Sequence, residues 1–186
     1  KDTLKQMGLQ FITYSLTQGK MKAQGAPLSA EQRGQVISFL IGNKVAPNAW
    51  TAGMKCDAAR LPVDLSGQAT ITNFGFDGHN TRSLTAAQAG LTKAQLSKME
   101  LAWSIGFPDA TGMRSQGAVV GKNVFVPVAD VAAMYAFDVS VPDKPCLQWV
   151  YESPGGAPLL SSPAYGVVDG VPLLVFSGMD TTVHAV

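Results

Sequence analysis

The sequence predicts a mixed fold: a short helical N-terminal segment, then an all-β part built from a repeated antiparallel unit. Three observations predict it. First, one pattern is written twice between Ala118 and Val186. Ala118-Val119-Val120 and Val124-Phe125-Val126 are apolar runs around a Gly121-Lys122-Asn123 turn, and Ala133-Met134-Tyr135-Ala136-Phe137-Asp138 follows as a third strand. Moving forward 49 positions, Val167-Val168-Asp169-Gly170 and Leu173-Leu174-Val175-Phe176 repeat the hairpin, and Val183-His184-Ala185-Val186 repeats the third strand. Second, Leu101-Ala102-Trp103 and Leu147-Gln148-Trp149 recur 46 positions apart, each just before the next hairpin. Third, the chain before residue 44 has apolar residues at helical rather than alternating spacing. Short apolar strands with Gly-containing turns at such a period suggest the four-stranded blades of a β-propeller.

The helical segment comes first. From Asp2 to Thr17, residues Leu4, Met7, Phe11, Ile12 and Leu16 mark one helix face, and Gly19 is a C-terminal stop. Ser29-Ala30-Glu31-Gln32 is a capping box that starts a second helix, with Val36, Ile37, Leu40 and Ile41 on one face and Gly42 as its end. The stretch Asn43 to Gln68 has little period, with Pro47, Gly53, Pro62 and Gly67, and reads as a linker. Thr92-Lys93-Ala94-Gln95 is another capping box, stapled by Leu91 and Leu96. The chain thus divides into a helical segment (1–44), a linker (45–72) and about two blades (73–186).

Composition bounds the function classes. With 186 residues, 46% of them apolar, the chain is long enough for a buried core, and its net charge is +1. No charge run marks a nucleic-acid binder, and no run of about 18 apolar residues marks a transmembrane helix. No Met-initiated signal peptide opens the sequence, so an exported protein would have to be mature or trimmed. Cys56 and Cys146 are too far apart for a C-x-x-C pair, which leaves two buried thiols or one long-range disulfide.

Two resemblances sharpen this reading. Ala136-Phe137-Asp138 followed by Trp149 resembles the Ala-x-Asp…Trp signature of blades in pyrroloquinoline-quinone (PQQ) dehydrogenases, where the Trp stacks on the neighbouring blade. The turn from Val139 to Pro145 is longer than the family's short Thr-Gly, a change that costs little closure entropy. Phe74-Gly75, Asn80-Thr81-Arg82, Ala89-Gly90-Leu91-Thr92, a short helix and a Leu101-Ala102-Trp103 strand, in that order, resemble the propeller start of the polyvinyl-alcohol-dehydrogenase-like branch. Phe74 stands where that branch more often has Trp. Leu16-Thr17-Gln18-Gly19-Lys20-Met21, followed by Leu28-Ser29-Ala30-Glu31-Gln32, is similar to the C-terminal end of a class I cytochrome c domain. There the Met supplies the sixth haem ligand, so the resemblance implies Met21 as an axial ligand to haem iron. No C-x-x-C-H occurs in the chain, so the haem-bearing half is missing from it.

The resemblance implies a parent protein: a periplasmic or exported quinohaemoprotein that oxidises an alcohol with PQQ and passes electrons to haem c. Arg82 would pair with a cofactor carboxylate or, alternatively, pin neighbouring backbone. Arg114, Gln116 and Ser162 lie where inner strands begin, and would line a quinone-holding channel or belong to loops. His79 sits in a turn, and His184, opposite Tyr135 in the repeat, is a strand side chain. Asp77, Asp130 and Asp180 are scattered without a D-x-D-x-D loop, which leaves calcium as a further ion of the parent protein only. In an oxidising periplasm a Cys56–Cys146 bridge would close a loop of about 90 residues and stabilise by roughly 4–5 kcal/mol. Two copies leave open edges, and Val186 falls within a strand motif, so the expected partners are remaining blades or a covering subunit. The competing function is a non-catalytic propeller scaffold in an envelope or electron-transfer assembly.

Overall fold

The computed structural model of the chain describes residues 9–41, 47–108, 110 and 112–186. Helices α1 (Leu9–Thr17), α2 (Lys22–Gly25) and α3 (Ala30–Ile41) come first. The expected start of α1 at Asp2 and the Gly42 stop lie outside the described residues. The apolar faces meet as the spacing requires: Ile12 and Leu16 of α1 pack on Ile37 of α3, flanked by Leu40 and Ile41. The Ser29 box forms reciprocally. The Ser29 N–H donates to Gln32 Oε1 at 2.8 Å, and the Gln32 N–H donates to Ser29 Oγ at 3.1 Å. At Gly25, an added Cβ would lie 2.0 Å from the Leu16 carbonyl oxygen, so a residue without Cβ lets α2 turn back onto α1.

The stretch 45–72 carries more structure than its lack of period implies. It contains α4 (Pro47–Met54) and strand β1 (Ala69–Ile71). Between them a series of long-range contacts clamps the chain to the sheet. Cys56 and Cys146 form a disulfide, and the Cys56 N–H donates to the Leu147 carbonyl at 2.9 Å. The Arg60 guanidinium pairs with the Asp138 carboxylate and donates to the Lys144 carbonyl at 3.0 Å. Gln148 Nε2 donates to the carbonyls of Arg60 and Pro62, and Asn123 Nδ2 to that of Asp64.

Strands β1, β2 (Ala118–Val120), β3 (Asn123–Val128), β4 (Ala133–Asp138) and β5 (Cys146–Glu152) form one antiparallel sheet in chain order. Strands β6 (Ala164–Val168), β7 (Val171–Ser177) and β8 (Val183–Ala185) form a second. The repeat is therefore structural, since β6–β8 retrace β2–β4. Its turns differ. Of the central pair Gly121-Lys122 only Gly121 has positive φ, at 57°, whereas Asp169 and Gly170 are both positive, at 51° and 80°. These are the two turn forms that suit the right-handed strand twist. The sheets, of five and three strands, are open. They are antiparallel meanders and do not close into a propeller, with β1 a fifth strand beside the expected four.

The core lies between the two sheets. Val120, Phe125, Met134 and Ala136 face Leu159, Leu174 and Phe176, and Trp149 packs against the group. The opposite face of the larger sheet holds Val128, Ala133, Tyr135, Phe137 and Leu147, with Trp50 of α4, Ile105 and Phe107 packed on it. Strand β4 is consequently buried at every position. The largest of its side chains, such as Phe137, each contribute about 1.5–3 kcal/mol by burial.

One expected strand does not form. Leu101-Ala102-Trp103 runs as irregular chain, with Leu101 84% exposed, because no strand lies alongside to complete its ladder. The helices before it, α5 (Ala86–Ala89) and α6 (Lys93–Leu96), are closed by capping boxes at Thr85 and Thr92 yet bury no residue. Among the described residues, no helix is long and apolar enough to cross a membrane.

Candidate functional site

Two clefts adjoin at the junction of the helices and the sheets. The first, of about 540 Å³, is bounded by Ile12 and Leu16 of α1 and by Val36 and Leu40 of α3. Met21 stands on its wall in the turn that starts α2, 45% exposed, with its N–H donating to the Ser15 carbonyl at 3.0 Å. The sequence places Met21 there by two devices: Gly25 lets α2 fold back, and the Ser29 box restarts the helix behind it. The cleft is apolar because it continues the amphipathic faces of α1 and α3.

The second cleft, of about 370 Å³, has Arg114, Gly112, Asp130 and Leu160 on its walls. The two clefts share Phe11 and Met179. Arg114 is exposed, and among the described residues no hydrogen bond or ion pair holds its guanidinium. Asp130 Oδ2 accepts the Gly112 N–H at 2.9 Å, which fixes the chain opposite Arg114.

Gln116 and Ser162, which precede β2 and β6, meet directly: the Gln116 N–H donates to Ser162 Oγ at 2.9 Å. Ser115 Oγ donates to the Leu160 carbonyl at 2.8 Å beside them. The Gln116 side chain accepts the Gly75 N–H on Oε1 at 3.1 Å, while its buried Nε2 has no partner. A buried unpaired amide donor costs about 1–3 kcal/mol, so it marks a place where an acceptor would be favourable. Thus the starts of the two meanders converge with the loop 73–82.

Arg82 lies on that loop, not among these groups. Its Nε donates to Asn80 Oδ1 at 3.1 Å, its guanidinium lies 5.3 Å from the Phe74 ring centroid, and its own N–H donates to the Gly75 carbonyl. Phe76, Asn80 and Arg82 all have positive φ, so these contacts hold a backbone that costs energy to maintain. The Arg82 side chain is thus engaged within its own loop. His79 is exposed in the same turn, where Asp77 accepts the His79 N–H at 3.0 Å. Hydrogen bonds from the Thr81 side chain and backbone hold the Asp77 carboxyl below the usual range. His184 is buried on β8, stacked on Phe176 at 5.3 Å with Nδ1 3.0 Å from the Tyr151 hydroxyl.

Sequence reasoning missed the company Asp130 keeps with Arg114. The turn between β3 and β4 carries Asp130 into the cleft, and only the pairing of those strands determines where that turn points. Among the described residues, no three His, Cys, Asp or Glu side chains cluster to hold a metal. Compared with protein-family models, curated proteins and solved structures, the chain matches none.

Proposed function

We propose that the chain is part of a periplasmic quinohaemoprotein that oxidises an alcohol with PQQ and passes electrons to haem c, the segment alone not being catalytic. One observation carries the reading. An apolar cleft bearing a half-exposed methionine adjoins a second cleft bearing an exposed arginine that has no partner among the described residues, and the two share Phe11 and Met179. A macrocycle with a soft axial ligand suits the first, and an anionic cofactor suits the second.

The residues fit each group in part. Met21 would hold haem iron from one side, as a neutral thioether that favours the ferrous state. The thioether attachment and the proximal ligand are not in this sequence, which has no C-x-x-C-H. Arg114 would meet a quinone carboxylate, and Gln116 Nε2 would donate to a carbonyl or carboxylate oxygen nearby. Arg82 is engaged by Asn80 and Phe74, so it contributes by shaping the loop that Gln116 holds. The quinone, when bound, supplies the two-electron acceptor for the alcohol, and the protein supplies position and charge. Among the described residues no side-chain cluster is set aside for calcium, which would belong to the parent protein. The Cys56–Cys146 disulfide supports an oxidising compartment.

A second reading, a non-catalytic scaffold completed by further blades or a covering subunit, is favoured by the apolar groups left at the surface. Leu101, Val167, Val171 and Val183 are all exposed, as in surfaces that meet a partner. The visible absorption spectrum of the native full-length protein decides between the readings. Haem bands together with a quinone chromophore are expected, and a featureless spectrum leaves the scaffold.

A further inference from the structure

A third cleft, of about 550 Å³, lies between the polar side of α1 and the chain that follows β5. Gln10, Thr13 and Thr17 reach it from one helix face, apart from that of Ile12 and Leu16, and Gln18 follows them. Glu152, Ser153 and the Pro154-Gly155-Gly156 turn form the opposite wall. Gly155 and Gly156 both have positive φ, at 71° and 73°, and a Cβ added at Gly155 would press on the Gln18 amide, so bare backbone keeps the cleft open there. The hydroxyls of Thr13 and Thr17 donate to the carbonyls of Leu9 and Thr13, each at 2.8 Å, which leaves them only lone pairs to offer. Among the described residues, no hydrogen bond holds the side-chain amide of Gln10 or Gln18. Ser153 adds an independent observation. It is only 5% exposed, its N–H donates to the Ala132 carbonyl at 2.8 Å and its carbonyl accepts the Gly156 N–H at 2.9 Å, yet its buried hydroxyl has no partner. A buried hydroxyl in that state is unfavourable unless an occupant meets it.

The chemistry of the lining selects the occupant. Among the described residues no Lys or Arg lines the cleft, and Glu152 carries its one charge, so an anion gains nothing there. No aromatic ring lines it either, so a flat heterocycle has no surface to stack on. What remains is a mixture of amide donors and acceptors, hydroxyl lone pairs and one carboxylate, which suits a ligand whose polar groups each donate and accept. Ring hydroxyls do both, and two adjacent ones can donate together to a carboxylate. We propose that this cleft binds a neutral sugar of one or two rings, its hydroxyls shared among Gln10, Gln18, Thr13 and Glu152 and a C–H face laid over Pro154 and Gly155. The volume lies within the range of small-molecule sites, about 300–1,000 Å³. The site binds and makes or breaks no bond. None of Met21, Arg114 or Gln116 lines it, so the inference does not depend on the haem or quinone reading.

Nitrogen-15 spectra of the intact chain test it, with D-glucose, D-galactose and maltose as neutral probes and D-glucuronate as an anionic analogue. Saturable shifts of the Gln10 and Gln18 side-chain amide signals are expected with at least one neutral sugar, at a Kd of about 1–10 mM. Glucuronate is expected to bind about tenfold more weakly than glucose, because Glu152 repels it and no cation receives it. Gln18→Ala, on an exposed residue, is expected to weaken the best sugar about fivefold and leave the melting temperature within a few degrees. Thr13→Val, which removes an acceptor and keeps the shape of the side chain, is expected to weaken it similarly. Should either variant fail to fold, the other carries the test. No saturable shift from any of the three sugars up to about 50 mM, glucuronate binding as well as glucose, or an unaltered affinity in the folded variants would overturn the assignment.

Discussion

The two copies of the β2–β4 pattern share a sequence rhythm but not a setting. In the first copy every position of β4 is buried, β5 continues the sheet, and the chain from Cys56 to Gln68 is strapped along its edge. In the second copy Val167, Val168 and Val171 at the hairpin and Val183 on β8 are exposed. The valines are equally apolar in both places. What differs is the neighbouring chain, so an apolar strand pattern specifies a meander while its burial depends on contacts made from far along the sequence.

Removing the strap should show this most strongly. Replacing Cys56 and Cys146 together by Ser is expected to lower the unfolding free energy by about 4–5 kcal/mol in urea, since the bridge closes a span of 90 residues. A loss under about 1 kcal/mol would mean that the remaining clamp contacts hold the first copy by themselves. Next, equivalent truncations should diverge. Phe137→Ala, in the buried strand, is expected to cost about 3–5 kcal/mol, whereas Val183→Ala, 68% exposed, stays within about 0.5 kcal/mol. Similar losses at the two sites would show that the second copy is covered in solution.

A smaller effect concerns pH. Burial alone would raise the Asp138 carboxyl, but hydrogen bonds from Ser140 and Arg60 outweigh it and hold the group below its ordinary value. Its folded-state value is thus the lower one, so the stabilisation is present above the unfolded value of about 3.9 and is lost as pH falls through the folded one. Unfolding monitored from pH 6 to pH 2 should show this acid-dependent loss in the native chain (about pH 4 downward). Asp138→Asn should flatten that part of the curve, and an unchanged curve would remove Asp138 from the clamp. The smallest expected effect is at Met21. Met21→Ala should change stability by no more than about 0.5 kcal/mol because the side chain is half-exposed. In the full-length protein the same change should abolish the weak iron–sulfur charge-transfer band at the red end of the spectrum and lower the haem potential. An unaltered band and potential would end the axial-ligand reading.

What the sequence made legible was local. The Ser29 box, the Gly121 and Asp169-Gly170 turns and the extent of β4 all follow from residues within a few positions of one another. The box at Thr85 was equally readable from Thr85-x-x-Gln88 and was overlooked. Apart from the Cys56–Cys146 bridge, which the two cysteines offered as one of two alternatives, the long-range features were out of reach. Arg60 meets Asp138 across 78 positions, and Gln116 meets Ser162 across 46, with nothing in either neighbourhood to announce the pairing. Leu101-Ala102-Trp103 failed as a strand for the same reason in reverse. It shares the Leu and Trp of Leu147-Gln148-Trp149, but only the latter has β4 beside it.

The Cys56–Cys146 bridge also sets a schedule for biogenesis. At synthesis rates of about 5–20 residues per second, Cys146 is added roughly 5–20 s after Cys56, a span fixed by their separation of 90 positions. With only two cysteines in the chain, Cys56 has no correct partner during that interval. Any disulfide that Cys56 forms earlier is with a wrong partner, and that bond must then be exchanged before the strap can close on β5. A thiol–disulfide exchange catalyst should therefore raise the yield of correctly folded chain more than it would for a protein whose cysteines are made close together.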